Sequence, residues 1–215
     1  MKVKEIIKNI FHISFSTQHE LASTFLRFQE YYESPKFRGK IFSFYEYKKW
    51  YTANSPKGKK TGKFTYYKDW GGFNIPSYVL KPFYQGKFNP LSNKEKKFLR
   101  AFKNKANIKF YIIGTVASNV GLKHEIAHGL FYNNPQYKKE VIKILSKIDK
   151  KNREKINDYL KKRGGYHKSV WTDETHAYLI TQSEKIKKSG VNPSIVSKLN
   201  KNLNNLLEKY LKVSI

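Results

Sequence analysis

The sequence predicts an α+β protein, with a mixed αβ first half to about residue 118 and an all-helical second half from about 119. Three observations carry that expectation. The stretch from about 36 to 90 is dense in Tyr, Phe, Trp, Gly and Pro with short alternations, a strand-and-turn texture. KFYIIGTV, about 109 to 116, is short, apolar, aromatic and β-branched, and is the strongest strand in the chain. Beyond it, apolar residues recur at helical spacing to the end. A chain of 215 residues needs only one domain, 1–215, here with an αβ lobe (1–118) and a helical lobe (119–215).

The elements follow in order. Thr17-Gln18-His19-Glu20 has the form of a helix capping box, and Leu21, Phe25 and Phe28 follow at helical spacing. They predict a helix over about 17–32, ended by Pro35. IFSFYEY (41–47) and KFTYYKDW (63–70) read as strands or short irregular pieces, and GGFNIPSYVLKPFY (71–84) as a loop followed by strand or helix. The run from Lys57 to Lys63 reads as an exposed loop, and about 92–105 as a helix capped by Ser92. After the 109–116 strand come a helix over about 119–133 and another opened by Pro135. YKKEVIKILSKI and NREKINDYLKK are amphipathic with lysine on the wet face, and Gly164-Gly165 breaks the chain. TDETHAYLITQSEKIKK is a helix with Thr172 as N-cap. The last, from about Pro193 to Leu211, shows Ile195, Leu199, Leu203, Leu206 and Leu207 as one apolar stripe.

Composition narrows the function. The formal net charge is +27, from 38 lysines and 5 arginines against 16 acidic residues. Base and phosphate readers lean on the bidentate guanidinium, so the scarcity of arginine argues against a dedicated nucleic-acid reader. The lysines read mainly as solvated surface, with non-specific adhesion to polyanions at low salt as the expected side effect. There is no cysteine, which excludes disulfides and thiolate ligands; any transition metal must be held by imidazole and carboxylate, a donor set that suits zinc. MKVKEIIKNIFHISF has no uninterrupted apolar run and no small-residue cleavage site. The sequence thus predicts neither signal peptide nor membrane span, and a cytoplasmic protein.

The chemistry sits in His124-Glu125-Ile126-Ala127-His128. Residues four apart on a helix point the same way, so His124 and His128 can present two imidazole nitrogens to one Zn2+ ion. Glu125, one residue along, can reach a water activated by that ion without itself binding it, and serves as general base. A catalytic zinc needs a third protein ligand and an open position. Glu174, in the first turn of a later helix as Glu174-Thr175-His176-Ala177-Tyr178, is the strongest third candidate, and small Ala177 favours close packing there. His176 is the rival. His19-Glu20-Leu21-Ala22-Ser23 begins like the same motif but has Ser where the second histidine is needed.

A strand, then His124-Glu125-x-x-His128, then Glu174-x-x-Ala177 on a later helix, resembles the gluzincin branch of the zincin metallopeptidases over about 109–180. The resemblance implies His124, His128 and Glu174 as zinc ligands, Glu125 as the catalytic base, and a protein or peptide substrate. It also implies that the strand before the motif, Phe110 to Val116, pairs with extended substrate. Many gluzincins carry Asp or Asn four residues after the third ligand; here that place is Tyr178, and Asp173 is the substitute support for a motif histidine. Phe131 and Asn134 stand where metzincins have Gly and a third His, which sets that branch aside. For the oxyanion, Tyr166, His167, His176 and Tyr178 are all near Glu174 in sequence, with His167 and Tyr178 ranked first.

Two other readings stand beside the peptidase. The same site can attack a non-peptide carbonyl, giving another metallohydrolase. A basic nucleic-acid-binding protein, with the motif incidental, is the alternative from outside enzymology; it predicts steep salt dependence and no bound metal.

Overall fold

The computed structural model describes residues 2–105, 107–116, 121–164 and 166–213. Positions 119 and 120 of the expected motif helix, and the second glycine of the Gly164-Gly165 break, lie outside the described residues.

The opening residues, to which the sequence assigns no element, form a hairpin of β1 (Lys2–Ile7) and β2 (Ile10–Phe15), turned at Asn9 in the left-handed region (φ 61°). Helix α1 (Gln18–Glu33) follows as expected, its first turn capped by the Thr17 hydroxyl, which accepts from the Glu20 amide.

From 36 to 70 the segments expected as strands or short irregular pieces contain helices. IFSFYEY runs into α2 (Phe44–Asn54), because Ser43 and Glu46 form a reciprocal capping box and Tyr47 and Tyr51 then fall one turn apart on the buried side. The expected loop of Lys57 to Lys63 holds α3 (Pro56–Thr61), with Ser55 as cap, Pro56 in the first turn and left-handed Gly62 (φ 66°) closing it. KFTYYKDW contributes α4 (Tyr66–Asp69), tied down where Asp69 accepts from Tyr51, Lys57 and Thr65. The aromatic alternation that mimics a strand is therefore overridden by helix-start chemistry. GGFNIPSYVLKPFY gives β3 (Gly72–Pro76), a 3-10 turn (Ser77–Leu80) and α5 (Lys81–Tyr84). Helix α6 (Asn93–Phe102) is capped by Ser92, as expected.

β4 (Tyr111–Val116) ends the first half, and the second opens with α7 (Leu122–Asn133), α8 (Pro135–Leu145) and α9 (Lys150–Gly164). After a 3-10 turn (Lys168–Val170) come α10 (Trp171–Thr181), α11 (Ser183–Lys188) and α12 (Pro193–Val213). The helix expected to start after Thr172 starts at Trp171 with Val170 as its cap, and breaks at Gln182. Trp171 packs half-buried on the core, its indole N–H donating to the Tyr166 carbonyl at 3.0 Å.

The four strands lie in the order β1-β2-β4-β3, with β2 and β4 parallel and the other pairs antiparallel. This corrects one expectation. β4 is interior, its two edges taken by β2 and β3, so Phe110 to Val116 has no free edge on which to receive a substrate strand. The outer strand on that side is β3. Because side chains alternate across a sheet, the two faces serve two cores. Phe11, Ile13, Phe73, Ile75 and Ile112 pack into the aromatic core around α1, while Ile10, Tyr111 and Ile113 join the core of the helical half. Each such side chain, fully buried, contributes roughly 1.5–3 kcal/mol. Gly129 lets α7 lie close on the sheet, since a Cβ there would stand 2.9 Å from Ile10 Cδ1. Among the described residues, no helix is long and apolar enough to cross a membrane.

Candidate metal centre

Helix α7 lies on the sheet and packs against α10, where Ala127 and Ala177 are both fully buried. The contact is close enough for the His176 ring Nε2 to reach the Ala127 carbonyl at 3.3 Å. At this crossing, His124 and His128 from α7 and Glu174 from α10 turn their ligand atoms towards one another, all within 4.8 Å. The two imidazole Nε2 atoms are 3.2 Å apart. Glu174 Oε2 is 3.9 Å from His124 Nε2, and Oε1 is 3.8 Å from His128 Nε2. Tetrahedral zinc with bonds of about 2.0–2.1 Å would set its ligands about 3.3 Å apart, so small side-chain adjustments suffice.

The side-chain chemistry fits such an ion. Glu174 Oε2 is buried without a hydrogen-bond partner, which is costly for a carboxylate oxygen unless a cation meets it. His124 is fixed in the needed tautomer. The Thr181 hydroxyl gives its only hydrogen to the Ala177 carbonyl at 2.8 Å, so at 3.0 Å it must accept from His124 Nδ1–H. That leaves the lone pair on His124 Nε2. Across the site, Asp173 Oδ1 accepts from His128 Nδ1 at 2.8 Å, the support expected of Asp173.

Protonation follows from these contacts. Burial, then the charges of His128 and His176, hold His124 well below the usual histidine value. Burial alone would lower His128 too, but Asp173 and Glu174 outweigh it and push it up to about 10. In the metal-free chain, His128 thus carries a proton on each nitrogen and donates one to His124 Nε2. Burial raises both Glu125 and Glu174 above the ordinary carboxylate range.

Glu125 is held by residues that the sequence does not single out. Asn74 Nδ2 of β3 donates to its Oε2 at 2.5 Å, and the Tyr111 hydroxyl donates to Asn74 Oδ1. Gly72 makes room for it: a Cβ there would stand 2.7 Å from Glu125 Oε1. Glu125, both histidines and Glu174 line one cavity of about 390 Å3.

The remaining expectations divide. His176 is fully buried away from the ligand group, its Nδ1 bonded to the Asp173 carbonyl at 2.6 Å and its ring stacked on Phe131. Tyr178 packs edge-on against His124, ring centres 5.0 Å apart, and its hydroxyl meets that of Tyr166 at 3.1 Å. His167 caps the 3-10 turn through its Nδ1, which accepts from the Ser169 amide at 3.3 Å. Of Tyr166, His167 and Tyr178, Tyr166 is the one that lines the cavity.

Comparison with known proteins returns no matching family model, no matching curated protein and no matching solved structure. The functional reading therefore stands on the residues themselves.

Proposed function

We propose that this protein is a zinc-dependent metallohydrolase of the zincin kind, acting on peptide bonds. His124, His128 and Glu174 hold the ion, and Glu125 is the general base. The observation that carries the reading is the convergence of those three ligand atoms, one of them an unpartnered buried carboxylate oxygen, beside a second carboxylate in one cavity. A zinc ion in such a site makes water acidic enough to ionise near pH ~7 and polarises a carbonyl.

The chain's own groups supply the rest. Asn74 fixes one oxygen of Glu125 and leaves the other to take a proton, and burial moves the Glu125 pKa towards the range where a base also returns that proton as an acid. Tyr166, steadied by Tyr178, is placed to donate to a developing oxyanion, and His167 stands next to it in the chain. With β4 interior, the edge strand beside the cavity is β3, and Gly72, Phe73 and Asn74 line its wall. A chain without cysteine suits a reducing cytoplasm.

The test is elemental analysis of wild type, His128→Ala and Glu125→Gln, followed by assay on a peptide library. The expectation is about one zinc per chain in wild type and Glu125→Gln, none in His128→Ala, and hydrolysis only by wild type. A zinc-free wild type after zinc is supplied, or an active Glu125→Gln, removes the proposal.

A further inference from the structure

We infer that the cavity beside the metal centre is a subsite for a cationic group of a peptide, with Glu30 and Glu33 as its counter-charges; this rests on the peptidase reading and adds a substrate class to it. Glu30 and Glu33 end α1 and line the same cavity as the metal-ligating residues. Helix energetics do not explain them. Carboxylates in a last turn face the negative end of the helix dipole, and like charges three apart repel. Nor do they have cationic partners: among the described residues neither forms an ion pair, in a chain with 43 Lys and Arg. Lys161, Lys162 and Arg163 of α9 line the cavity too and leave both glutamates unpaired.

The rest of the wall suits a cation on an apolar stem. Tyr47, Trp50, Tyr51 and Tyr66 line the same space, and an aromatic wall favours an alkylammonium or guanidinium group and packs its methylenes. The Tyr66 hydroxyl, buried in the wall of the same cavity, has no hydrogen-bond partner of good geometry. Burial pushes Glu30 up to about 8 and Glu33 up to about 7, so in the cation-free chain both largely hold protons that a bound cation would displace. The cation is either the side chain of Lys or Arg, or the amino terminus of the peptide.

The experiment compares zinc-loaded wild type on peptide pairs. One pair is N-acetylated and differs only in lysine against norleucine; the other lacks basic side chains and differs only in a free against an acetylated amino terminus. A preference of about tenfold in kcat/KM for the cationic member of one pair is expected, and the pair that shows it identifies the source. That ratio should collapse in Glu30→Gln/Glu33→Gln, whose zinc content and thermal melting report that it is folded. Binding of N-acetyl-lysine methylamide, its norleucine counterpart and alanine amide, followed by NMR on unmodified wild type, needs no variant and no turnover. Hydrolysis without either preference, and without tighter binding of either cation, overturns the subsite and leaves the peptidase standing. Binding of a cation, lost in the double variant, in a protein that hydrolyses nothing supports the subsite and removes the peptidase.

Discussion

Asp173 Oδ1 lies 2.8 Å from His128 Nδ1, while the other nitrogen of the same ring faces His124 Nε2 at 3.2 Å. Asp173 thereby does two opposed things. It orients the ring for a metal, and it strengthens the hold of His128 on a proton that a metal must displace.

The pH dependence of zinc binding separates the two. His128 is held up to about 10 in the metal-free chain, so every pH below that leaves a proton to be released on binding. Competition with a chelator from about pH 6 to about pH 8 should show affinity rising by at least about tenfold per pH unit. Asp173→Asn should bind zinc about 10–100-fold more weakly at the upper end and lose part of that slope. An unchanged slope in the variant would mean that Asp173 does not set the His128 proton.

Gly72 and Glu125 make a second testable contact. A Cβ at Gly72 would stand 2.7 Å from Glu125 Oε1, while the Asn74 side-chain amide, two residues along the same strand, holds the other carboxylate oxygen. Gly72→Ala should therefore push the carboxylate aside and lower kcat/KM by about a hundredfold with zinc retained. Gly71→Ala is the control, because a Cβ there meets nothing within 4 Å. Equal activity in the two variants would show that the position of Glu125 is not critical.

These contacts also show which parts of the molecule are legible in sequence. His124, Glu125 and His128 are written within two helical turns, where spacing alone fixes direction. Glu174 and Asp173 are readable because acidic residues opening a later helix are few in so basic a chain. Asn74 is not readable: it reaches Glu125 across 51 residues, through the register that sets it opposite Ile113 on β4. Thr181 matters only through the hydrogen it gives to Ala177, a geometric fact without a sequence signature. Tyr166 and His167 are neighbours, and the backbone of their turn decides which one faces the cavity. In the first half, aromatic density hides helices whose starts are marked by Ser43 and Ser55, so α2 and α3 were signalled by caps rather than by periodicity.

Glu30 links the cavity to stability. Its folded pKa of about 8, raised by burial, lies above the usual 4.5. A raised carboxyl favours the folded state fully below 4.5, and that contribution is lost as pH rises through about 8. Glu30→Gln removes the titration. Its melting temperature should gain on that of wild type between about pH 5 and about pH 9, with the largest difference at the alkaline end. Parallel curves would place Glu30 in water rather than in the cavity wall.

Arg27 and Glu95 fasten α1 to α6. Arg27 Nε and Nη2 donate to the two oxygens of Glu95 at 2.7 and 2.6 Å, and Arg27 also donates to the Phe88 and Pro90 carbonyls. Both side chains are less than a tenth exposed. Removing one partner strands the other charge in a dry site, so Glu95→Ala should cost about 3–5 kcal/mol in urea unfolding. The Ser92 amide loses its acceptor as well, and with it the capping box of α6. Replacing both partners by apolar residues, Arg27→Met with Glu95→Leu, should recover most of the loss, because the desolvation cost leaves with the pair. If the double variant is no more stable than Glu95→Ala, the guanidinium contacts to Phe88 and Pro90, rather than the ion pair, hold this corner together.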